Sequence, residues 1–80
     1  MGALQPAMAD FMIHVSDPLS EMEMLTLADT VCDERCVLSA CVSQEDNHLI
    51  LVNYDSNCAS ARDIVGHVVS QGVHAQAVGL

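Results

Sequence analysis

Apolar positions along this chain keep changing their spacing, and each change marks an element. "FMIHV", residues 11–15, is a short apolar run that breaks at "SDP" and predicts a strand. Asp17 and Pro18 then announce a helix over about Leu19–Cys32. Proline suits a first turn, and Glu21 and Glu23 complement a helix N-terminus. At about 100° per residue, Met24, Leu25, Leu27, Ala28, Val31 and Cys32 share one face, while Met22, Glu23, Thr26, Asp29 and Thr30 take the other. The pattern therefore puts Cys32 on the buried side and Met22 on the wet side. "CVLSACVSQ", residues 36–44, is rich in β-formers and small residues, and "EDNH" is turn chemistry before the almost unbroken apolar run "LILVNY". Two strands around "QEDN" make a hairpin. Ser60, with Asp63 three residues on, has capping-box spacing and opens a second helix over about Ala59–Gln71. Ala61, Ile64, Val65, Val68 and Val69 form its apolar face, His67 points away, and Gly72 ends it. "VHAQAV", residues 73–78, alternates and predicts a last strand.

The order β-α-β-β-α-β implies an α+β fold. Its expected form is a ferredoxin-like sandwich, a four-stranded antiparallel sheet with both helices on one face. Eighty residues make one domain. "MGALQPAMAD", residues 1–10, is expected to be a flexible leader ahead of a single domain over 11–80.

Charge narrows the partners. Eleven acids face two arginines and no lysine, for a net charge of −9. Nucleic acid and anionic membranes need a basic surface, so the charge argues against both; it favours a protein with a basic surface or cations as partner, with plain solubility as an equal alternative. No run is long enough to span a bilayer and residues 1–10 lack a basic signal region, which points to a cytoplasmic chain with mostly reduced cysteines. An edge formed by the second or fourth strand leaves a homodimer open. Enzymatic chemistry finds no support: there is no nucleophile elbow, no Gly-rich phosphate loop and no H-E-x-x-H.

"LILVNYDSNCASARDIVGHVVSQGVHAQAV" resembles the second half of a heavy-metal-associated domain, the fold of small copper chaperones and of metal-pump N-terminal modules. Tyr54 and Asp55 at the end of an apolar strand, the Ile64–Val65 pair in the helix and Gly72 before the last strand fall at matching places. The resemblance covers roughly residues 11–78 and implies Cu(I) or Zn(II) handling. Members of that family grip the ion with two cysteines, two residues apart, in the loop from first strand to first helix. Here that loop is "SDPLSEMEM", and Glu21 and Met24 stand at about the places of the cysteines. Met22 and Met24 are soft thioethers, but Met24 lies on the core face of the helix pattern. Acylphosphatases share the fold but need an arginine in this loop, which is absent.

The topology sends three cysteines elsewhere. Cys32 closes the first helix, Cys36 opens the second strand and Cys58 follows the third, so all three belong to the end of the sheet opposite the family's metal loop. Three readings stay open: a soft-metal site of Cys36, Cys58 and Cys32, a Cys36–Cys58 disulfide switch, or thiols used as small apolar packing residues. Cys41, mid-strand, reads as core. The four histidines read first as scattered surface residues, with a His48–His74–Glu21 cation site at the opposite end as the lesser alternative. Two functions follow. One is a small metal-handling protein with a non-standard ligand set; the other is an interaction or regulatory module that kept the fold, lost the metal and carries no cofactor.

Overall fold

The computed structural model describes residues 7–79. Its elements are β1 (Met8–Val15), α1 (Glu21–Cys32), β2 (Val37–Val42), β3 (Leu49–Asp55), α2 (Ala61–Ser70) and β4 (Ala75–Val78). They form one four-stranded sheet in the order β2-β3-β1-β4, with every neighbouring pair antiparallel. This is the ferredoxin-like α+β arrangement. The inward residues Phe11, Ile13 and Val15 of β1 and Ile50, Val52 and Tyr54 of β3 meet Met24, Leu27, Ala28 and Val31 of α1 and Ala61, Ile64 and Val68 of α2 in a single core. Tyr54 stands edge-on to Phe11, with ring centroids 5.4 Å apart.

β1 begins three residues before the expected start at Phe11. Met8, Ala9 and Asp10 pair with Asp55, Tyr54 and Asn53, and Asn53 Nδ2 donates to Asp10 Oδ1. The tail of the expected leader is thus part of the sheet, and residues 1–6 lie outside the described ones.

Each helix opens on a reciprocal capping box. Ser20 accepts from the Glu23 amide while Glu23 accepts from the Ser20 amide, and Ser60 and Asp63 do the same for α2. The cap moves the start of α1 to Glu21, so Leu19 and Pro18 precede the helix rather than form its first turn. Gly72 follows α2 with φ +90°, the left-handed stop that glycine takes without strain.

β2 carries a bulge. Val37 faces Tyr54 but Ser39 faces Asn53, so one extra residue enters between them and the inward-outward alternation inverts. Ala40 and Val42 then turn inward, and Cys41 turns outward.

Candidate functional site

At the end of the sheet where β2 starts and β3 stops, the chain closes on itself. The Asp55 amide donates to the Cys36 carbonyl at 2.9 Å, which sets Cys36 beside the end of β3. Beyond Asp55 the chain turns sharply. Its carbonyl accepts from Cys58 at 3.0 Å and Ala59 at 3.2 Å, and its carboxylate accepts from the Asn57 amide at 2.9 Å. That turn carries Cys58 back to Cys36, and the two are joined as a disulfide with Cα atoms 5.5 Å apart. The antiparallel pairing expected from the sequence makes these two cysteines neighbours.

Cys32 behaves differently. It ends α1 as a free, exposed thiol, not a buried one. The sandwich covers only one side of α1, and Cys32 lies past the edge of the covered stripe. Among the described residues, no three His, Cys, Asp or Glu side chains cluster so as to hold a metal ion, and Cys32 does not complete such a set with Cys36 and Cys58. Cys41 is also free and exposed, turned outward by the bulge instead of packed in the core.

Next to the disulfide, the α1–β2 turn is tied by Glu34, whose amide donates to the Val31 carbonyl at 3.0 Å. Glu34 Oε1 lies 2.9 Å from His67 Nε2 on α2 but outside hydrogen-bond geometry, and the two attract as an ion pair only when the imidazole is protonated. Glu34, Arg35, Cys36, Ala59, Asp63 and Ile64 line a small cleft there.

The loop that carries metal in the resembled family has a structural role here. Met24 is buried in the core, Met22 is 71% exposed, and Glu21 opens α1. Asp17 binds the start of β4: its Oδ2 accepts from the His74 amide at 2.9 Å, and its Oδ1 lies 3.0 Å from His74 Nδ1. The His74 amide above all, and then the His74 ring, hold the Asp17 carboxyl below its ordinary value.

His48 and His74 do reach the same end of the sheet, where Val15 donates to the His48 carbonyl and Ser16 to the His74 carbonyl, both at 2.8 Å. The rings, however, take other partners than those of the alternative His48–His74–Glu21 set. His74 engages Asp17, and His48 lies beside His14 with ring centroids 6.4 Å apart. The His14–His48 approach was legible only as far as His14's outward position in its strand and His48's place at the hairpin.

Among the described residues no helix is long and apolar enough to cross a membrane. No family model matches the chain, and no curated protein matches its sequence.

Proposed function

We propose that the chain is a small, non-enzymatic, soft-metal-handling protein of the heavy-metal-associated kind, with Cys36 and Cys58 in place of the family's loop cysteines. The observation that carries this reading is the direct apposition of the two sulfurs. As a disulfide they bind no ion. Two electrons and two protons, delivered by a glutathione-class thiol that leaves as its own disulfide, convert the bond to two thiols. Cu(I) then takes the pair as thiolates and displaces both protons. Zn(II) is served less well, because its sites use four ligands and the apposed pair supplies two. The pair acts alone in this reading, because Cys32 does not group with it. A cytoplasmic setting belongs to this proposal, since a reducing pool keeps the pair open. The test is a Cu(I) titration of reduced protein against a chromogenic competitor. One equivalent should bind, and Cys36→Ser or Cys58→Ser should each weaken it at least tenfold, whereas Cys41→Ser should not. Binding that survives both substitutions sinks the reading.

A second reading, an interaction or regulatory module without a metal, is favoured by the distribution of charge. Of the 11 acids only Asp10 and Asp55 stand at outward positions of the sheet, and the rest lie on the helices and loops. A basic-surfaced protein would meet that acidic side. A second copy would be repelled there and would use the outer sheet face, where Cys41, Leu51, Met12 and Val78 form an apolar row across all four strands. Sedimentation of wild type against Leu51→Glu discriminates: a homodimer dissociates in the variant, and a monomer in both cases removes the second copy from consideration.

A further inference from the structure

We propose that His14 and His48 form a second, thiol-independent site that takes a borderline divalent cation such as Ni(II), Cu(II) or Zn(II). Three observations converge on it. The His14 Nδ1 atom is buried and has no hydrogen-bond partner among the described residues. A buried polar nitrogen left without a protein partner is costly, and an ordered water or an ion satisfies it. The His48 ring is its neighbour at 6.4 Å between centroids. Two imidazoles sharing one tetrahedral ion, with metal–nitrogen bonds near 2.0–2.1 Å, have centroids roughly 5 Å apart. The required approach is therefore about 1 Å, within the reach of a side chain in an exposed hairpin, and His48 is such a residue.

The backbone sets the two residues beside each other from different elements. His14 belongs to β1 and pairs with Leu49, and the next residue, Val15, donates to the His48 carbonyl. Asp46 accepts the His48 amide at 2.9 Å and so fixes the hairpin that presents the ring. The surroundings also favour a cation. Asp46 and Asp17 flank this end of the sheet, and the chain carries a net charge of −9. Imidazole nitrogen selects Ni(II), Cu(II) and Zn(II) over Mg(II) and Ca(II), which prefer oxygen. Water fills the coordination positions that the two rings leave open. His74 stands apart from the pair: among the described residues no three His, Cys, Asp or Glu side chains group so as to hold an ion.

The test uses the full chain with the Cys36–Cys58 disulfide intact, no reductant, and Cys32→Ser and Cys41→Ser to remove the free thiols. Ni(II) is titrated and followed by calorimetry and by paramagnetic broadening of the histidine ring signals. One equivalent should bind and should broaden His14 and His48 ahead of His67 and His74. His14→Gln and His48→Ala should each weaken binding at least tenfold, and the double variant should be no weaker than either alone, because the two rings act as one chelate. His48 is exposed, so its substitution leaves the fold intact and keeps the test decisive. Binding unchanged in His48→Ala, or lost in His74→Ala instead, overturns the proposal. So does dependence on one ring alone, the behaviour of a solitary surface imidazole. Failure here leaves the Cu(I) test on the reduced thiols untouched, since that test reads different residues in a different redox state.

Discussion

Asp17 fastens the start of β4 to the β1–α1 loop with both carboxylate oxygens. The His74 amide favours the ionised form, so the Asp17 carboxyl titrates below its ordinary value of 3.8. Glu23 and Asp63 are lowered in the same way, by the amide and then the hydroxyl of Ser20 and of Ser60. A carboxyl depressed in the folded state binds its proton more readily in the unfolded chain. Its contribution to stability is therefore complete above the ordinary value and is lost as pH falls through the lowered one. Urea midpoints measured from pH 7 down to pH 2.5 should stay level to about pH 4.5 and then fall, and Asp17→Asn should flatten part of that fall. An unchanged slope in Asp17→Asn would mean the carboxylate is not engaged in solution. The residue pair was not legible in the sequence: "SDP" announced a helix start, and nothing local ties Asp17 to a histidine 57 positions later.

At the scale of elements, both helices obey one rule that the apolar pattern alone did not give. Taking the first buried residue as zero at about 100° per residue, the buried set Met24, Leu27, Ala28 and Val31 spans roughly 100°. Leu25 and Cys32 lie about 80–100° off the reference and are exposed, Leu25 by 48%. In α2, Ala61, Ile64 and Val68 are buried, Val65 at about 40° is half-buried, and Val69 at about 80° is 46% exposed. A two-layer sandwich covers one side of each helix, so the apolar residues on the flank of the stripe stay wet. Helix type and order follow from the spacing of Met24, Leu27, Ile64 and Val68, which any reading of the sequence finds. Stripe width depends on how much sheet lies beneath, which no local pattern records. The β2 bulge is the parallel case for strands: an inserted residue inverts alternation, and Cys41 goes from core to surface. Val68→Ala should accordingly cost about 2 kcal/mol, Val65→Ala less, and Val69→Ala within about 0.5 kcal/mol, by chemical denaturation. Equal costs for Val68 and Val69 would contradict the narrow stripe. Ser20→Ala and Ser60→Ala, each removing a capping box, should cost about 1 kcal/mol apiece.

At the scale of the whole molecule, the disulfide ties the start of β2 to the β3–α2 turn across a sequence separation of 22 residues. Closing a loop of that length in the unfolded chain is worth about 3 kcal/mol. A domain of this size has only a few kcal/mol in all, so reduction should lower the melting temperature by well over 10 °C. Under the proposed Cu(I) reading, redox state and metal binding would act on the same free energy. A ligand that binds the folded form alone stabilises it by about 2.7 kcal/mol at a free concentration one hundred times its dissociation constant. Cu(I) held by Cys36 and Cys58 re-closes the same loop, so it should restore most of what reduction removes. Three melts decide the matter: oxidised protein, reduced protein, and reduced protein with one equivalent of Cu(I) buffered well above its dissociation constant. The expected order is oxidised highest, Cu(I)-loaded next, reduced lowest, with Cys36→Ser melting like the reduced chain whether or not Cu(I) is present. A reduced protein that Cu(I) fails to stabilise would leave the Cys36–Cys58 bond as a covalent brace of the fold with no metal chemistry behind it. Stabilisation of Cys36→Ser to the same degree as wild type would move the ion to other residues.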